Sequence, residues 1–143
     1  MPNPLPYVTA AFLCERILQE KDDVISALRI IDRLQYRLEG APQDTKPMLN
    51  LQALIMFKSG PVTGEHDVKI IVENPRGDRK EVYALKVVLN GKDHGQNIIM
   101  NMGLGVEHDG LYWFDVVFDA DVLTRIPLTV TALPQQEQIE KQA

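Results

Sequence analysis

Residues 9–38 read TAAFLCERILQEKDDVISALRIIDRLQYRL, and the conformation of this stretch decides the fold class. Two periodicities compete in it. Ala10, Leu13, Cys14 and Ile17 recur at helical spacing, as do Val24, Ala27, Leu28, Ile31 and Leu34. Ala, Leu, Glu, Arg and Gln also favour helix intrinsically. The strand reading puts Val8, Ala10, Phe12 and Cys14 on one face, then Ile25, Ala27, Arg29 and Ile31 on one face of a second strand. That alternation is the mark of a half-buried sheet. The residues alone favour a helical hairpin or one long helix, and they leave the strand reading open.

The chain beyond this stretch reads as strands. Leu49, Leu51, Ala53, Ile55 and Phe57 share a parity, as do Val68, Ile70 and Val72. Asn74-Pro75-Arg76-Gly77-Asp78 predicts a turn, because Pro presets one dihedral and Gly accepts positive φ. Tyr83, Leu85, Val87 and Leu89 follow, and Asn90-Gly91 predicts the next loop. Ile98, Met100, Met102, Leu104 and Val106 form another alternating set. Tyr112, Phe114, Val116 and Phe118 alternate up to an Asp119-Ala120-Asp121 turn, and Ile126, Leu128, Val130 and Ala132 continue beyond it. Pro127 cannot donate to a ladder, so its strand is expected to be an edge or bulged there. Short strands separated by turn signals predict a sandwich or barrel.

The opening stretch and several later motifs resemble one bacterial family. They are Ala11-Phe12-Leu13-Cys14-Glu15, Glu20-Lys21-Asp22-Asp23 and Ser26-Ala27-Leu28-Arg29-Ile30-Ile31-Asp32-Arg33. Further along come Gly64-Glu65-His66, Gly110-Leu111-Tyr112-Trp113-Phe114-Asp115-Val116 and Arg125-Ile126-Pro127-Leu128-Thr129-Val130. In this order they resemble a family of small stand-alone β-sandwich proteins classed as a domain of unknown function. Its first hairpin resembles A-x-x-C-[DE], a polar turn, then S-x-x-x-[IV]-[FI]-D-R. Asp23 departs from the pattern, since the family's turn usually carries Gly. The resemblance implies strands over residues 7–38 and carries no activity or catalytic residue with it. The expected fold is therefore all-β: an antiparallel β-sandwich of about seven to eight strands, immunoglobulin- or C2-like, with little helix. One domain is expected over residues 7–133, between a proline-rich tail at 1–6 and a polar tail at 134–143.

Composition narrows the function classes. The chain has 143 residues, 45% hydrophobic and 24% charged, with a net charge of −5. That balance opposes a nucleic-acid interface, which needs a concentrated basic face, and docking on anionic membranes. No apolar run is long enough to span a bilayer. The N-terminus lacks the basic and apolar regions of a secretory signal, and the one cysteine allows no internal disulfide. A bacterial or phage-infected cytoplasm is the expected setting.

No catalytic, cofactor-binding or metal site is expected, and no cofactor. Cys14 as nucleophile would need a base such as His, whereas free Cys is commonly a buried small hydrophobe. His66, His94 and His108 fall in polar, loop-like segments and form no close ligand pair. Glu107, Asp109, Asp115, Asp119 and Asp121 raise a calcium reading, but Asp is also a common turn former. Arg76-Gly77-Asp78 matches an adhesion tripeptide by chance. Gly103-Leu104-Gly105 lacks the rest of a phosphate loop and predicts a bulge or a close backbone approach. Asp32-Arg33 reads as a structural brace. The expected function is a non-enzymatic protein-binding or structural module, with a protein partner or a homo-oligomer. The alternative is a sandwich binding a small ligand, carbohydrate or calcium, with Tyr112 and Trp113 as an aromatic platform.

Overall fold

The computed structural model describes residues 4–37 and 46–133, and these residues contain no helix. They form seven strands: β1 (Tyr7–Gln19), β2 (Ile25–Ile31), β3 (Arg33–Tyr36), β4 (Met48–Glu73), β5 (Arg79–Gly105), β6 (Gly110–Phe118) and β7 (Asp121–Ala132). The sheet order is β2-β1-β4-β6-β7-β3, with β5 on the other edge of β4. The expected tail at 134–143, and the first three residues of the 1–6 tail, lie outside the described residues. Among the described residues, no helix is long and apolar enough to cross a membrane.

Residues 7–38 illustrate how pattern misleads. Leu13 lies opposite Ile31, and Ile17 opposite Ala27, in an antiparallel hairpin. Leu13, Ala11 and Ile31 join the core. Their strand neighbours Phe12, Cys14, Leu28 and Ile30 are apolar too, and they point to the opposite face. With both faces apolar, period-2 contrast disappears and a helical spacing emerges by default. Asp23, in the turn between β1 and β2, takes φ 66°, the left-handed conformation that Gly adopts without strain.

The 26-residue β4 and 27-residue β5 far exceed ordinary strands. They remain one hairpin because both bend at a shared corner. Register shifts twice at this corner, between Lys58 and Gly60 and between Gly60 and Thr63, and once more between Ile70 and Ile71. Gly60 (φ 59°), Gly91 (φ 81°) and Lys92 (φ 59°) are left-handed there. Asn90-Gly91 therefore opens no loop; it sits inside β5 and turns the corner. Before the corner, β4 pairs β1; after it, β4 pairs β6.

The other ends of the path meet through one residue. β2 ends at Ile31 and pairs β1, while β3 begins at Arg33 and pairs β7. Asp32 makes the switch, and its carbonyl accepts the Thr129 N–H at 3.0 Å. The β3–β7 pairing is parallel, so the expectation of a wholly antiparallel sheet is corrected. A strand that continues directly from β2 arrives at β7 already pointing along it.

Core residues come from both halves of the bent hairpin, including Leu13, Ile55, Phe57, Ile70, Leu89, Met100, Phe114, Phe118 and Leu128. Tyr112 lies opposite Leu128, and Phe114 opposite Ile126, as the alternation predicts. Pro127 sits on the stretch of β7 that β3 does not reach, so its missing N–H costs no bond. Gly103 shows no bulge: it stays in register with Asn50, and a Cβ there would lie 3.3 Å from Met48 Sδ. Asn74 organises the 74–78 turn, its Oδ1 accepting the N–H groups of Arg76 and Asp78 at 2.9 and 3.0 Å.

Gly91→Ala should destabilise the protein by about 1–2 kcal/mol, because a side chain is strained at this φ and its Cβ would meet Thr63 Cγ2 at 3.2 Å. Asp23→Gly should be neutral or stabilising by about 0.5 kcal/mol. Urea unfolding of both variants checks the two signs.

Candidate functional site

Paired residues in a sheet share a face, so the register sorts every outward side chain. The two halves present faces of opposite chemistry. On the half formed by β2, β1, the start of β4 and the end of β5, Phe12 lies opposite Leu54, and Leu54 opposite Ile99. Cys14 lies opposite Ile30 and Gln52, and Arg16 opposite Leu28. Cys14 and Leu54 are buried yet lie outside the core cluster, because their own neighbours on this outer face cover them. Leu28 and Ile30 stand exposed at 46% and 62%, and Val24 beside them at 58%. The result is an apolar surface at the β2 edge of the sheet. Gln52 limits it on one side, accepting the Ile17 N–H and bonding Asn101.

The other half carries charge on its outward face. Asp115, buried on β6, accepts Arg125 Nε at 2.7 Å and pairs with an Arg79 guanidinium nitrogen at 3.0 Å. Glu73 bridges the same two arginines at 2.9 and 3.4 Å. Arg125 stacks over Trp113 at 4.5 Å from the ring centroid. One face of the indole is therefore occupied, and Tyr112 is buried in the core with its hydroxyl donating to the His108 carbonyl at 2.6 Å. The two rings do not form a shared platform.

His66 forms a third feature, at the corner. It lies within β4, not in a loop, and His94 lies within β5; of the three histidines, only His108 is in a connection. The His66 ring stacks on Phe118 with centroids 4.7 Å apart. Nδ1 lies 2.8 Å from Asp119 Oδ2, and Nε2 2.8 Å from the Thr63 carbonyl oxygen. Both partners are acceptors, so the protonated imidazolium, which donates from both nitrogens, is the form that satisfies the site. The Asp119 carboxylate first, and the Thr63 carbonyl second, raise the His66 pKa above its ordinary 6.5. Asp119 is lowered in turn, by the Asp67 N–H and then by His66. Asp119 Oδ1 accepts that N–H at 3.0 Å. The β6–β7 turn is thereby latched to β4, beside a cleft of about 410 Å³ lined by Leu5, Pro61, His66 and Asp121 among others.

The remaining sequence candidates separate. Glu107 pairs with Lys46 at 2.9 Å. Asp109 accepts the Tyr36 hydroxyl at 2.6 Å and the Ala132 N–H at 3.0 Å, and the first of these hydrogen bonds, followed by burial, pushes the Tyr36 pKa up to about 12. Among the described residues, no three His, Cys, Asp or Glu side chains converge as metal ligands. Burial raises the Cys14 thiol above its ordinary range, which keeps it protonated. The sequence reading missed the apolar face, although it named Phe12, Cys14, Leu28 and Ile30. The β1–β2 register, which no local pattern contains, was needed to unite them.

Two outcomes follow. Because the folded His66 pKa is raised, its stabilisation is full below 6.5 and is lost as pH rises through the raised value. The Asp119 contribution is full above 3.8 and is lost as pH falls through its lowered value. Thermal melts across pH should show both losses, and His66→Gln should abolish the upper one. Arg125→Ala should cost about 2 kcal/mol, because it leaves the buried Asp115 carboxylate with a weaker set of donors. Denaturant titration measures it.

The chain matches no family model and no curated protein. Among solved structures it is similar to β-glucosidase from Listeria innocua at 12% identity and a TM-score of 0.45, over 87% of this chain and 16% of that one. β-Glucosidase 3B from Thermotoga neapolitana, in complex with glycerol, aligns at 12% identity and 0.42, over 62% and 14%. Alkylpurine DNA glycosylase AlkC from Pseudomonas fluorescens, bound to DNA containing an abasic site analog, aligns at 9% and 0.45, over 85% and 30%. The chain spans less than a third of the length of each. Likeness at this level bears on neither fold nor function.

Proposed function

We propose that this chain is a non-enzymatic protein-binding or structural module, built as a β-sandwich, whose contact surface is the apolar outward face of β2, β1 and β4. The exposed pair Leu28 and Ile30, continuous with Phe12 and Met56 across the sheet, carries the reading. Contiguous exposed apolar surface of this kind marks interaction sites. The chemistry elsewhere is consistent with it. The Cys14 thiol is buried, and both His66 nitrogens are engaged in holding the corner.

The sandwich layout rests on three supports. A hairpin bent at its middle can lay its halves face to face. One core cluster draws on both halves. The Tyr112 hydroxyl bonded to a carbonyl four residues upstream resembles the tyrosine corner of immunoglobulin-like sandwiches. A cytoplasmic setting suits a chain whose sole cysteine is free and buried.

A photo-crosslinking residue at position 30, introduced in the cells that make the protein, tests the contact surface. Position 88 is the control: Val88 is 58% exposed, close to the 62% of Ile30, but lies on the other half. A discrete protein adduct from position 30 and none from position 88 is expected. No adduct from position 30, or equal adducts from both, overturns the reading.

A further inference from the structure

We infer that the occupant of the apolar face is a second copy of this chain, stacked face to face with its strands antiparallel to the first. This rests on the contact-surface reading above and adds the partner and its orientation. The face ends in opposite charge. At one end, the β1–β2 turn carries Glu20, Asp22 and Asp23 against a single Lys21. At the other end stand Lys58, opposite Tyr7 of β1, and Lys92, opposite Gly60, against a single Asp93. Among the described residues, none of Glu20, Asp22, Asp23, Lys58 and Lys92 has an ion-pair partner. Elsewhere Lys46, Lys69 and Lys86 pair with carboxylates, while Lys80 has no ion-pair partner among the described residues.

The two ends lie about 40 Å apart along β1 at the ordinary rise of a strand. A two-fold axis across the strands brings the acidic turn of each copy over the basic corner of the other. Each charge pairing then occurs twice, as an isologous interface requires. The apolar centres, Phe12, Leu28, Ile30 and Met56, meet in the middle. The axis along the strands would instead set acid on acid and base on base. Charge therefore selects the antiparallel stack, and apolar burial supplies its affinity.

Complementary charge reversals test the partner and the orientation together. One variant carries Glu20→Lys and Asp22→Lys; the other carries Lys58→Glu and Lys92→Glu. All four sites are exposed, and circular dichroism confirms that each variant is folded. By sedimentation equilibrium, wild type should be a dimer, each variant alone should dimerise about tenfold more weakly or worse, and an equimolar mixture should recover the wild-type affinity. The mixture recovers because both contacts of the mixed dimer regain opposite charge.

A wild-type chain that stays monomeric overturns the inference. If position 30 still crosslinks a different protein in cells, the contact-surface reading survives it. A monomer with no adduct at all overturns both. Variants that dimerise as wild type does, or a mixture that fails to recover, overturn the antiparallel stack.

Discussion

Everything in this fold hangs on the corner where β4 and β5 bend together. Two strands of 26 and 27 residues cannot share one flat ladder and also enclose a core. Gly60 and Gly91 accept left-handed backbone at the bend, and Lys92 is held in it. The bend divides the free edge of β4 into two docking sites, one taken by β1 and the other by β6. The positions of β2, β7 and β3 follow from those two choices. His66 reinforces the same region from outside, tying the Thr63 carbonyl to the β6–β7 turn through Asp119.

The two outward faces show how one sheet divides its chemistry. Beyond the corner, a buried carboxylate shared by two arginines, with an indole beneath one of them, closes the surface with satisfied charge. Before the corner, the outward rows of β1 and β2 carry Phe12, Cys14, Leu28 and Ile30, with Arg16 as the charged member. The first arrangement satisfies its charges within a single chain. The second leaves Leu28 and Ile30 exposed.

Much of the architecture was legible in the sequence. The strands from residue 48 onward announce themselves because one of their faces is buried and the other is not, and the Asn74–Asp78 turn and the Asp119–Ala120 turn lie where Pro, Gly and Asp predict them. The first hairpin was not legible from its residues, because apolar side chains on both faces erase the alternation. Asn90-Gly91 misled for a related reason: left-handed residues serve a bend within a strand as readily as a loop between two. The parallel β3 was invisible, since nothing in Arg33–Tyr36 names a partner nearly a hundred residues away.

Local side-chain chemistry determined that the chain from residue 48 onward forms strands, where most of its turns lie, and that its lone cysteine crosslinks nothing within it. Those properties depend on neighbours in sequence, so they can be read from it. Only the tertiary structure decided which acids stay apart and which residues share a surface. Glu107, Asp109, Asp115 and Asp119 each went to a different partner. Phe12, Leu28, Ile30 and Met56 came together on one face. Such groupings are set by strand register and by the bend at the corner, and both are long-range quantities fixed by burial of the whole core.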